Sequence, residues 1–74
     1  MARLRPLPYR EVVRKLNAAG FDEVSRRSSH VKFVKDTSEG VVTAVVPDHR
    51  EIPVGTLKSI LRQARLSADQ FESL

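Results

Sequence analysis

Seventy-four residues without a cysteine make one domain that no disulfide or thiolate metal site can staple, and a chain this short hides only about 60% of its unfolded surface. No apolar run approaches the roughly 20 residues that span a bilayer. The basic start Met1-Ala2-Arg3-Leu4-Arg5-Pro6 leads into no apolar stretch, so neither a membrane anchor nor a signal peptide is expected, and a cytoplasmic location is. The net charge of +4 is uneven: residues 1–35 carry nine Lys/Arg against three Asp/Glu (+6), and residues 36–74 carry four against six (−2). A basic half fits an anionic partner such as RNA, DNA or an acidic protein, and it equally fits a surface tuned for solubility.

Pro8 is placed to open a helix, since it lacks only an N–H that would be unpaired there. Tyr9, Val12, Val13 and Leu16 follow at i, i+3, i+4, i+7 as one apolar stripe, with Arg10, Arg14 and Lys15 off it toward solvent. Gly20 suits the left-handed stop position, and Phe21 can fold back onto the last turn. Three strands are predicted next. The first, Glu23 to Arg26, is weakly marked and rests on Val24. The second, His30 to Lys35, alternates, with Val31 and Phe33 on one face and His30 and Lys32 on the other. The polar run Asp36-Thr37-Ser38-Glu39-Gly40 reads as a hairpin turn. Val41 to Val46 is apolar on nearly both faces and reads as the buried centre of the sheet, ended by Pro47.

Pro53 opens a second helix with the stripe Val54, Leu57, Ile60, Leu61, Ala64; Lys58, Arg62 and Arg65 lie outside it. Ser67 and Gln70 match a capping box, so a short third helix starts there and anchors through Phe71. No linker, repeat or low-complexity stretch interrupts the chain. The order predicts a single α+β domain over residues 1–74, with helices stacked on one face of a three-stranded antiparallel sheet. The other face stays open, and His30 and Lys32 point to it.

Chemistry concentrates in Arg26-Arg27-Ser28-Ser29-His30-Val31-Lys32-Phe33. Cleaving RNA through its own 2′-OH requires a base for the hydroxyl proton, an acid for the leaving 5′-oxygen, and cations for the charge on phosphorus. An imidazole fills either proton role near neutral pH, and Arg and Lys clamp phosphate. His30 is the candidate acid/base, and Arg26, Arg27, Ser29 and Lys32 are the candidate RNA-binding residues. On the pattern alone, a lone His at a strand start is more often structural or merely exposed. His49, the other histidine, lies on the loop before the second helix. It is either a loop polar group bonded to the backbone or a second acid/base group, and nothing in the sequence places it near His30. Two His and no Cys, with no carboxylate cluster, predict no metal site and no cofactor. The four aromatics Tyr9, Phe21, Phe33 and Phe71 fall on core stripes or beside helix ends, so backbone and shape recognition is expected rather than base stacking.

These residues resemble the HicA (YcfA-like) toxins. Gly20-Phe21 closes the first helix as in that family, and Ser29-His30 before an apolar–x–aromatic strand start looks like its Gly-Ser-His motif. Val45-Val46-Pro47-x-His49 is similar to its third strand end. Ile52-Pro53-x-Gly55-Thr56-Leu57-x-x-Ile60-Leu61-x-Gln63-Ala64-x-Leu66-Ser67 is similar to its second helix and exit. The resemblance runs from Pro8 to Phe71. It implies a double-stranded-RNA-binding-domain-like fold adapted to cut mRNA, the toxin half of a type II toxin–antitoxin pair, and a catalytic role for His30. It also implies a HicB-like antitoxin covering the active face, with no direct DNA binding except through that antitoxin. Two positions depart: Ser28 and Arg65 stand where the family usually has Gly, and each would be strained if held left-handed. From the residues alone, a non-catalytic RNA-binding module and a protein-interaction module remain the alternatives.

Overall fold

The computed structural model describes residues 3–74; Met1 and Ala2, with which the basic N-terminal stretch begins, lie outside the described residues. The elements are α1 (Tyr9–Ala18), β1 (Asp22–Arg27), β2 (His30–Thr37), β3 (Gly40–Pro47), α2 (Val54–Ala64) and α3 (Ala68–Glu72). The strands form one antiparallel sheet in the order β1-β2-β3. This is the α–β–β–β–α order of a double-stranded-RNA-binding-domain-like α+β fold, extended by one short helix.

Both long helices start from the same device. Leu7 and Ile52 exchange two backbone hydrogen bonds, of 3.1 and 2.7 Å, and because the bridge is antiparallel the prolines that follow them leave it in opposite directions. Pro8 (φ −66°, ψ 151°) and Pro53 (φ −71°, ψ 161°) are extended and cap the helices from one residue outside. The helices therefore begin one residue later than expected, at Tyr9 and Val54 rather than at the prolines. A proline ring fixes φ but leaves ψ free, and here both prolines take the extended ψ of an N-cap. The Pro8 carbonyl accepts from Glu11 and Val12, and the Pro53 carbonyl from Leu57.

The helices also end alike. In α1 the Phe21 N–H reaches back to the Leu16 carbonyl (2.9 Å) and the Gly20 N–H to that of Asn17 (3.0 Å). In α2 the Leu66 N–H reaches the Leu61 carbonyl (3.0 Å) and the Arg65 N–H that of Arg62 (3.3 Å). These are paired Schellman closures, each followed by an apolar residue packed back on the core. Gly20 takes the left-handed position in the first (φ 99°), and Arg65 takes it in the second (φ 60°, ψ 39°). Ser67 then caps α3: its hydroxyl accepts from the Gln70 N–H at 3.0 Å, and the Gln70 side chain accepts from the Ser67 N–H at 2.7 Å. Lys15 is not left to solvent as its place off the stripe suggested. Its ammonium donates to the carbonyls of Phe71, Glu72 and Leu74 and lies 5.2 Å from the Phe71 ring centre, tying α1 to the end of α3.

The core lies between the helices and one sheet face. Val12 and Leu16 of α1, Val31 and Phe33 of β2, Val42, Ala44 and Val46 of β3, and Leu57, Ile60, Leu61 and Ala64 of α2 meet there. Phe21, Ile52 and Phe71 close it. Two strand expectations are corrected. The sheet's centre is β2, and β3 is an edge: its β-branched run reads as two-sided, but Val41 (61% exposed) and Val45 (37%) face the open side. The outer edge of β3 is covered by α2, where the Val45 N–H donates to the Gln63 side-chain oxygen at 2.9 Å. Val24 does not anchor β1. The register jumps from Glu23↔Phe33 to Ser25↔Lys32, leaving Val24 in a bulge and exposed. All six β1 residues are exposed, so pairing with β2, rather than burial, makes β1 a strand.

Candidate active site

Cross-strand partners share a sheet face, and register therefore fixes which candidates stand together. Arg27 pairs with His30 and Ser25 with Lys32. Because Val31 and Phe33 are buried, His30 and Lys32 lie on the open face, and Arg27 joins them. Arg27, His30 and Lys32 are all exposed. The structure thus brings an imidazole, a guanidinium and an ammonium together at one end of the open face.

Between Arg27 and His30 the chain turns through Ser28 and Ser29. Ser28 is left-handed (φ 57°), as at the first position of a tight hairpin turn where Gly is preferred. The position where the resemblance to the HicA toxins implies Gly is thus left-handed here, and a serine occupies it. Ser29 is half-buried, and its carbonyl accepts from the Asp48 N–H at 2.6 Å. This bond joins the turn before His30 to the loop after β3. Pro47 lies directly across from His30 in the ladder, and the His49 N–H donates to the Pro47 carbonyl at 2.9 Å. His49 therefore belongs to a loop that abuts the His30 end of the sheet, a proximity invisible in the sequence.

Arg26 stands apart from the other cations. It pairs with Val31 and so belongs to the helix-side face. Its guanidinium contacts the Asp48 carboxylate at 2.8 Å, with the two side chains 45% and 36% exposed. The Asp48 carboxylate holds the guanidinium's pKa above its ordinary value. Solvent screens an exposed pair of this kind, and the fold does not depend on it. Beside them the Tyr9 hydroxyl is buried near the Arg26 guanidinium but makes no hydrogen bond of good geometry. Burial, and then the carboxylates of Glu23 and Asp48, push its phenol pKa up. Asp48 was missed by the sequence reading. No local spacing links it to Ser29 or Arg26, and only the folded sheet brings the three together.

Among the described residues no group of three or more His, Cys, Asp or Glu side chains could hold a metal ion, and no helix is long and apolar enough to cross a membrane. An imidazole, a guanidinium and an ammonium on one open face make it cationic and suited to an anion. A search of the curated proteins finds no match to this chain. The family model described as the HicA toxin of bacterial toxin–antitoxin systems matches residues 9–66, a stretch that holds α1, the whole sheet, the His30 cluster, α2 and its left-handed exit. The chain belongs to the HicA toxin family.

Proposed function

We propose that this protein is a metal-independent endoribonuclease that cleaves mRNA in the cytoplasm through His30, and that a HicB-like antitoxin neutralises it. The carrying observation is the exposed His30 on the open sheet face, with Arg27 directly across the ladder and Lys32 two residues along. In the proposed reaction one imidazole takes the 2′-OH proton as the 2′-oxygen bonds to phosphorus. The bond from phosphorus to the 5′-oxygen breaks, and an imidazolium returns a proton to that oxygen. One fragment keeps a 2′,3′-cyclic phosphate and the other a 5′-hydroxyl. Arg27 and Lys32 offset the charge that builds on the phosphoryl oxygens. Ser29 shapes the turn that presents His30, and His49 is a candidate for the second proton role.

A toxin of a toxin–antitoxin pair has a protein partner. A cationic open face attracts an acidic surface with fast, electrostatically steered association, and covering this face blocks RNA. The test is RNA cleavage by wild type and His30→Ala with circular dichroism on both, in buffer containing a chelator. Wild type should cut, and the variant should stay folded and not cut. A folded His30→Ala that cuts at the wild-type rate removes the assignment. A wild type that binds RNA without cutting it would make the domain a non-catalytic binding module.

A further inference from the structure

Residues 48–51 belong to no helix or strand, and all four side chains are exposed. No apolar burial holds this loop, so its course is set by polar contacts. The Asp48 N–H bonds to the Ser29 carbonyl at 2.6 Å, and the His49 N–H to the Pro47 carbonyl at 2.9 Å. The Asp48 carboxylate meets Arg26 at 2.8 Å. The Arg14–Glu11 ion pair lies within one turn of α1, whereas Arg26–Asp48 joins β1 to the loop that carries His49.

The ladder bounds how far His49 can be from His30. Pro47 faces His30 at the roughly 5 Å between Cα atoms of an antiparallel pair. Two further residues span at most about 7 Å. The two Cα atoms are thus within about 12 Å of each other, close enough for two imidazoles to flank a single phosphodiester. Arg26 itself is poorly placed as a phosphate clamp. Its charge is matched by Asp48, and its register with Val31 puts it on the face opposite Arg27 and His30.

We infer that Arg26 and Asp48 are positioning residues: their ion pair holds His49 across from His30, so that one imidazole removes the 2′-OH proton while the other protonates the leaving 5′-oxygen. This rests on the ribonuclease reading above. Misplacing a reacting group by about 1 Å can cost roughly 100-fold in rate, so a pair that adds little stability can still govern turnover.

The experiment measures kcat and KM on an RNA substrate for the full chain and its variants, and amide exchange by NMR. Asp48→Ala and His49→Ala should each lower kcat by roughly 10- to 100-fold with KM nearly unchanged. The double variant Asp48→Ala/His49→Ala should be no slower than His49→Ala, because the pair acts through His49. The swapped pair Arg26→Asp/Asp48→Arg should recover most of the loss. Should Asp48→Ala fail to fold, Arg26→Gln breaks the same pair from the sheet side. Additive losses, or an Asp48→Ala that binds RNA more tightly at unchanged kcat, would overturn the proposal and make Arg26 a phosphate contact. If wild type cuts no RNA, the ribonuclease reading fails. The exchange data then stand alone: the amides of Asp48 and His49 should exchange faster in Asp48→Ala and slow again in the swapped pair, and unchanged exchange overturns the clamp.

Discussion

The two left-handed non-glycine residues can be tested by giving each the residue its backbone favours. Arg65 (φ 60°) closes α2 and Ser28 (φ 57°) turns β1 into β2, and both side chains are exposed, so Gly removes no buried contact. Relief of the left-handed clash is worth about 1–2 kcal/mol. Against this, Gly adds roughly 0.4–1 kcal/mol of unfolded-chain entropy. Arg65→Gly also removes a cation from a helix C-terminus, a loss of about 0.3 kcal/mol at an exposed site. The balance is a gain of about 0.5 kcal/mol for Arg65→Gly and about 0.8 kcal/mol for Ser28→Gly. The residues share no partner, so the gains should add. For a domain of this size, about 1.3 kcal/mol raises Tm by roughly 5–10 °C. Urea unfolding at constant m, with thermal melts, measures it. Gly20→Ala is the internal control. It places a Cβ at φ 99°, 3.2 Å from Lys35 Cε, and should cost about 1 kcal/mol or more. If either Gly variant proves less stable than wild type with m unchanged, strain at these positions is not what the dihedral angles imply.

Ser67→Ala removes the α3 cap and should cost about 1 kcal/mol in urea unfolding, with Gln70→Ala costing less. Gln63→Ala uncaps the Val45 N–H at the sheet edge; it should cost about 1 kcal/mol and raise aggregation, read by light scattering. Tyr9→Phe discards a buried hydroxyl that makes no hydrogen bond of good geometry and lies near the Arg26 guanidinium, and should leave stability at pH 7 nearly unchanged or higher. Because the folded phenol's pKa is raised, its neutral form contributes stability fully below the ordinary tyrosine value of about 10. That contribution is lost as pH rises through the folded value, so Tyr9→Phe should flatten the alkaline decline seen in melts. Arg27→Ala and Lys32→Ala should each weaken binding to single-stranded RNA and reduce the salt slope by about 0.7; an altered base preference at unchanged slope would indicate base readout instead.

Local chemistry was legible in the sequence, and long-range assembly was not. Gly20-Phe21 and Ser67/Gln70 each act within a few residues, so the chain stops and starts where they imply. The alternation of β2 placed His30 on the open face because a buried Val31 and Phe33 leave it nowhere else. The run Val41 to Val46 misled because sequence hydrophobicity does not say which strand is central. Strand order is set by the two hairpins and by α2 lying along β3. Arg26 read as one of a cationic group because sequence adjacency hides the alternation of faces along β1. Its partner Asp48 and the approach of His49 depend on a ladder register that closes only in the folded sheet.

The bridge between Leu7 and Ile52 bears on the order of events in folding. The two hairpins of the sheet close over short turns and can form early, as local contacts do. The bridge must instead enclose roughly 45 residues, at a loop-closure cost of about 3 kcal/mol that its two hydrogen bonds cannot offset alone. It becomes favourable only once the helices are already docking on the sheet. The start of α1 is thus placed late, and a nascent chain still holding Ile52 inside the ribosome has a complete sheet sequence but no partner for Leu7. The helix layer on that sheet is completed only after α2 has emerged.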